Sequence, residues 1–289
     1  MKCFLLLFFI GSYSLMLAQA PDGTPDTFTA KTGGGNWNNS LVWEDDGVDS
    51  DGIPDGDDVV IINGVDITVT ADAGFGRLEY NATGTTQPTL TVNSGVSLTG
   101  YNTVEDGAII VTASQIGIGS PTDKDQTFNI DGGVVSCALL DLTTTRSTAN
   151  VRFNIKNGGT LSIDNDLTMA SNNSDTDILL DATTGTGNTL NLGGELSGPN
   201  TDEGIIDMGS TSGVSTFNYN GTLAQTIEFD DPDDLLYADL QVSNAVGVTL
   251  GSGLSSTNVT GNLTISAGGV FDDGGFTSTF TGEITNEGT

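Results

Sequence analysis

The residues best placed to do chemistry lie between Asp45 and Asp58, in the run DDGVDSDGIPDGDD. Asp49, Asp51, Asp55 and Asp58 recur at short intervals around Gly52. Alternate carboxylates can point inward where a glycine permits the bend, and hard cations such as calcium take several such oxygens on one tight turn. These four aspartates are the expected Ca2+ ligands. The same run also fits a solvated acidic turn inserted between Trp43 and Pro54, which an acidic chain produces readily. A second acidic run, Asp230-Asp231-Pro232-Asp233-Asp234, lacks the glycine and reads as an exposed loop.

Other chemistry is restricted by what is missing. The 289 residues carry 38 Asp and Glu against 7 Lys and Arg, a net charge of −31, and no histidine. Ser-His-Asp and Cys-His sites need an imidazole, as do the His-bearing zinc sites. A nucleic-acid partner is excluded, because a field of this sign repels phosphates. Lyases acting on uronates need Lys or Arg to neutralise the substrate, and among Lys31, Arg77, Lys124, Arg146, Arg152 and Lys156 only the last three cluster. Paired carboxylates could cleave a neutral glycan, so a carbohydrate-active β-helix or a glycan-binding module stands as the alternative to a non-enzymatic role. Trp37 and Trp43 have two readings, a sugar-stacking platform or a cover over the open end of a stack of strands. Threonine pairs at Thr68/Thr70, Thr89/Thr91, Thr277/Thr279 and Thr279/Thr281 raise an ice-binding solenoid as a second alternative, but their spacing does not recur once per repeat.

The elements that position these residues are strands. No segment keeps an i, i+3, i+4, i+7 apolar stripe. Short β-branched runs ending at Gly, Asn or Asp recur instead: Val59-Val60-Ile61-Ile62, Ile67-Thr68-Val69-Thr70, Thr89-Leu90-Thr91-Val92 and Val96-Ser97-Leu98-Thr99. A strand–turn–strand unit also repeats, as in TLTVNSGVSL from Thr89, TFNIDGGVVS from Thr127 and RFNIKNGGTL from Arg152. Shorter versions begin at Thr189 and Thr216, and a full-length one at Asn262. The expected inward anchors are Val92, Ile130, Ile155, Leu192, Tyr219 and Ile265. One such unit cannot bury its apolar side alone, so neighbours must stack. The expected fold is all-β, a right-handed parallel β-helix (β-solenoid) with a Trp-containing N-terminal cap, and a pair of Ig-like sandwiches is the rival.

The N-terminus places the protein outside the cell. Met1-Lys2-Cys3, the apolar stretch Phe4 to Ile10 and Ala18-Gln19-Ala20 form a secretory signal of residues 1–20. Residues 21–58 then make the cap and acidic loop, and 59–289 the repeats. No later stretch is apolar for long enough to span a membrane. Cys137 is left as a single thiol, so no internal disulfide forms.

Two resemblances add to this reading. Gly35-Asn36-Trp37, Trp43, Gly52-Ile53-Pro54 and Asp57-Asp58-Val59-Val60-Ile61 resemble the opening of large, repeat-rich, adhesin-like β-helix proteins on bacterial surfaces, many exported by the type IX route. Tyr219-Asn220-Gly221, Gln225-Thr226-Ile227, Tyr237 to Leu240 and Val259 to Ile265 resemble a second element of that family. The resemblance implies a secreted structural or adhesive segment with cell-surface or matrix glycans or proteins as partners. It also implies a continuation beyond Asn286-Glu287-Gly288-Thr289. The acidic run is similar to a single thrombospondin type 3 calcium loop, with Gly47 where the first ligand is expected.

Overall fold

The computed structural model describes residues 21, 23, 25–47, 52–81, 89–101, 107–113, 126–144, 150–171, 178–198, 204–227, 235–255 and 258–289. The signal segment, Asp49, Asp51, Lys124, Arg146 and the Asp230–Asp234 run lie outside them. The described residues are all-β: short strands joined by turns, one 3-10 turn at Ser40–Val42, and no α-helix.

The strands form parallel sheets, and every third strand of the chain returns to the same sheet through most of its length. In the first sheet Thr27–Ala30, Val59–Asn63, Arg77–Asn81, Ala108–Ala113, Leu139–Thr144, Leu167–Ser171 and Leu196–Ser197 follow one another. The second runs from Gly35–Asn36 to Leu235–Leu236 and the third from Ala73–Phe75 to Ile284–Asn286. A fourth, Gln225–Ile227, Val248–Leu250 and Phe271–Asp272, starts after the first has ended. This order is compatible with a β-solenoid, in which each circuit of the chain contributes one strand to each face. Among the described residues the single antiparallel pairing between strands lies at the start, where Trp43–Asp45 runs against Thr27–Ala30 and covers that edge.

Alternation builds the core. Phe28, Val60, Leu78, Ile109, Leu140 and Leu167 are register partners in succession, and each is fully buried. On the second sheet the column is Ile67, Leu90, Phe128, Phe153, Leu180 and Ile206. The Phe128 and Phe153 rings stack at 4.5 Å and 17°. Period-two strands put every second residue inside, so an apolar residue in register with its predecessor extends one continuous cluster.

The six expected anchors are all buried, but they occupy two different sheets. Val92, Ile130 and Ile155 are partners on the second sheet. Leu192 and Tyr219 are partners on the third, where Val242 links Tyr219 to Ile265. The first three repeat units turn from the second sheet into the third. The unit starting at Thr189 turns from the third sheet into the first. The phase shifts because both corners use the same small-residue chemistry. At the second-to-third corner Gly95, Gly132 and Gly158 have φ of 78°, 68° and 82°, the left-handed region that glycine enters without a Cβ clash.

The third sheet presents an outer face that is almost free of charge. Thr99, Ser136, Ser162, Asn191, Asn218, Gln241, Thr264 and Thr285 form one rank of register partners along it. Asn191 Nδ2 donates to Ser162 Oγ at 3.2 Å, and Asn218 Nδ2 to Asn191 Oδ1 at 3.1 Å. On the second sheet Asn154 donates to Asn129 in the same way, at 2.8 Å, and Lys156 pairs with its register partner Asp131 at 3.4 Å. Thr68 and Thr91 are in register there, but the rank continues as Asn129 and Asn154, and Thr277, Thr279 and Thr281 lie outside strands.

Candidate acidic metal site and its surroundings

Two of the four sequence-predicted ligands, Asp49 and Asp51, lie outside the described residues. Of the four, the described residues hold Asp55 and Asp58, and Asp57 joins them. One carboxylate oxygen from each of these three lies within 4.8 Å of the others, and all three residues are buried, at 7 %, 0 % and 2 % exposure. Buried carboxylates without a cation are costly, because desolvation and mutual repulsion both disfavour ionisation. Asp55 shows this: burial above all, then a side-chain hydrogen bond with Asp57 and the nearby charges of Asp58 and Asp57, push its carboxyl up to about 8, against the backbone N–H of Asp57.

The turn before Val59–Asn63 builds this cluster. Asp58 Oδ2 accepts from the Asp55 N–H at 2.7 Å, and Asp55 Oδ1 from the Asp57 N–H at 3.2 Å. Remote backbone completes it. Asp26 N–H donates to Asp58 Oδ1 at 2.9 Å and Gly23 N–H to Asp57 Oδ2 at 2.8 Å. The Asp58 carbonyl accepts from both Gly76 and Arg77. Asp58 therefore ties the segment before it and the segment after it to its own turn. A Cβ at Gly56 would strike the rings of Pro21 and Tyr101, so side chains pack closely over this turn.

A second group, Asp26, Asp45 and Asp46, also places one carboxylate oxygen each within 4.8 Å of the others, and it is more open to solvent. Asp46 Oδ1 accepts from Thr27 N–H at 2.8 Å and Asp45 Oδ1 from Gly47 N–H at 2.7 Å. A Cβ at Gly47 would fall on the Asp26 carboxylate. That explains the glycine where a calcium-loop ligand is expected: the space there belongs to Asp26, from the segment just before Thr27–Ala30. Both groups offer only hard oxygen donors, the set calcium or magnesium takes. These buried and half-buried acidic clusters could in principle hold a metal ion.

Asp57 was within reach of sequence reasoning, since it sits in the run already singled out, but it falls off the template spacing. Asp26 was not. Only the pairing of Thr27–Ala30 with Val59–Asn63 brings it beside Asp58.

Trp37 and Trp43 meet edge-to-face at 5.2 Å and 69°, and Trp43 Nε1 donates to the Trp37 carbonyl at 2.7 Å. They are 0 % and 2 % exposed, so neither ring offers a face on which a sugar could stack. Trp37 Nε1 is buried without a hydrogen-bond partner. Cys137 is buried as well, and burial, then the charge of Asp164, raises its thiol well above the usual range.

The residues that carried the second resemblance do structural work. Tyr219 and Tyr237 are buried with their hydroxyls 2.7 Å apart, and Phe217 packs on both rings. Gln225 is buried where the first sheet gives way to the fourth. Its Nε2 donates to the carbonyls of Leu192 and Gly194, and its Oε1 accepts from Gly221 N–H and Asn244 Nδ2. One side chain thus supplies hydrogen bonds where the ladder of strands breaks.

No family model, curated protein or solved structure matches this chain.

Proposed function

We propose that this chain is an exported, right-handed parallel β-solenoid segment of a bacterial surface or matrix protein, non-enzymatic, with a structural and adhesive role. The observation that carries the reading is the unbroken register of two core columns, Phe28 to Leu167 on the first sheet and Ile67 to Ile206 on the second. Stacks of this kind derive stability from neighbour-to-neighbour contact and present long regular faces to partners. The signal segment and the adhesin-like motifs support export and surface attachment. The lack of histidine and the scarcity of basic residues support a role without catalysis.

In this reading Trp37 and Trp43 form the N-terminal cap. Their burial beside the antiparallel pairing of Trp43–Asp45 with Thr27–Ala30 is what a closed first edge requires. Asp55, Asp57 and Asp58 take Ca2+, with Asp49 and Asp51 as further ligands from the same loop. A divalent ion would hold together the segments that Asp58 already bridges.

The test is in two parts. Beads coated with the purified chain should adhere to bacterial or host matrix preparations, and beads that do not adhere overturn the adhesive role. Melting midpoints in chelator and in about 5 mM calcium, within the range of extracellular modules, should differ at matched ionic strength, and Asp58→Asn should abolish the difference. An equal shift in the variant would mean charge screening rather than a bound ion.

A further inference from the structure

At the corner where the third sheet turns toward the first, two cavities of about 280 and 300 Å3 adjoin and share Asp164, Gly193 and Thr222. The corner is a backbone ladder: Gly193 N–H donates to the Ile163 carbonyl at 2.8 Å and Asn220 N–H to the Leu192 carbonyl at 3.0 Å. Its floor is kept low by glycine. A Cβ at Gly193 would strike the Asp164 carbonyl, and one at Gly221 the Gly193 carbonyl. The walls are mixed in character, with exposed carboxylates from Asp164 and Asp166, the amide of Asn220, and Leu223, which is 75 % exposed. The groove opens where the first sheet stops at Leu196–Ser197 and the fourth has not begun.

We propose that this groove binds a neutral polysaccharide chain, resting on the adhesive reading above and naming its ligand class. A pyranose ring has hydroxyls that donate to carboxylates and accept from amides, and a C–H face that covers an apolar side chain. Asp164, Asp166, Asn220 and Leu223 provide that combination around a floor whose glycines carry no side chain to obstruct a ring. Small-molecule sites begin at about 300 Å3, and two adjoining cavities close to that size suit consecutive sugar units. A longer chain leaving the groove meets the uncharged rank Ser162, Asn191 and Asn218 rather than more carboxylates. Acidic glycans are repelled by the three carboxylates of Asp164, Asp166 and Glu195. A basic peptide would be attracted to much of this acidic surface and has no reason to prefer a glycine-floored groove.

The experiment is binding of the purified chain to an array of neutral oligosaccharides, followed by calorimetry on the best ligand, with polygalacturonate and a lysine-rich peptide as competitors. The expected result is binding of a neutral glycan that Asp164→Ala and Asn220→Ala each weaken at least tenfold, with the melting midpoint unchanged and Thr68→Ala without effect. Asp164→Asn should retain more affinity than Asp164→Ala, which separates a hydrogen-bonding role from a packing one. No neutral glycan bound, binding that both alanine variants leave intact, or displacement by the lysine-rich peptide overturns the proposal. Adhesion of coated beads that survives both alanine variants would sink the groove and leave the adhesive role standing. Glycan binding without bead adhesion would do the reverse.

Discussion

At the scale of single residues, Asp55 links pH, calcium and stability. Its carboxyl titrates at about 8 in the fold, against 3.8 for the unperturbed group. Between those values the folded state holds a proton that the unfolded chain has released. Stability from this group is therefore present below about pH 4 and declines as pH rises toward 8. Calcium ligation needs the ionised carboxylates, so its benefit should grow over the same window. In chelator the melting midpoint should fall from pH 5 to pH 8, and in calcium that fall should shrink or vanish; Asp55→Asn should flatten the profile in chelator. At free calcium one hundred times the dissociation constant the gain is about 2.7 kcal/mol. A chelator profile that rises with pH would contradict this account. Trp37 gives a second residue-scale prediction. Truncating a large buried aromatic costs about 3–5 kcal/mol, so denaturant titration of Trp37→Ala should show a loss of that size. Trp37→Phe should lose much less, because the indole N–H makes no hydrogen bond that the change would remove.

At the scale of elements, the break between the first and fourth sheets is the place where side chains replace backbone pairing. Gln225 satisfies two carbonyls and one amide there, and Asn244 reaches both Gln225 Oε1 and the Leu223 carbonyl. Gln225→Leu keeps much of the volume but removes the partner of the Gly194 carbonyl and of the Gly221 N–H, while the Leu192 carbonyl keeps its bond from Asn220 N–H. Each unsatisfied group costs about 1–3 kcal/mol, so chemical denaturation should report a loss of roughly 2 kcal/mol or more. Hydrogen exchange should show that loss centred on Asn188–Leu192 and Ser215–Tyr219. A uniform change across the chain would argue that the staple has no local role. The asparagine pairs Asn129/Asn154 and Asn191/Asn218 are the milder counterpart, binding one strand's outer face to the next while the ladder is intact.

At the scale of the whole molecule, the sheets are parallel and the net charge is −31. Parallel pairing buries side chains in columns, and self-repulsion opposes any compact arrangement of that charge. Circular dichroism should show strand with no appreciable α-helix. Small-angle scattering of the purified chain should report an elongated particle, whereas two compact lobes would favour paired sandwiches. Added salt should raise the melting midpoint through screening.

Much of the local structure was legible in the residues themselves. Ile67–Val69 and Thr89–Val92 alternate apolar and polar residues, as a half-buried strand does, Val59–Asn63 is a β-branched run that ends at Asn63, and Gly95, Gly132 and Gly158 mark corners because few other residues adopt positive φ. The acidic run likewise drew attention to Asp55 and Asp58. The tertiary structure decided which face each strand joins and which aspartates meet. Parallel register partners among the described strands lie from 18 residues apart (Val60 and Leu78) to 38 (Leu90 and Phe128), a separation that leaves no local trace. Repeat units that look alike turn at different corners, so Val92 and Leu192 enter different sheets despite equivalent settings. Asp26 reaches Asp58, and Asp164 lines up with Gly193 and Asn220, only because strands distant in sequence pair in parallel. Alternation and turn chemistry are properties of a few consecutive residues. A site assembled across strands depends on pairing between distant segments, and that is settled only when the apolar columns pack.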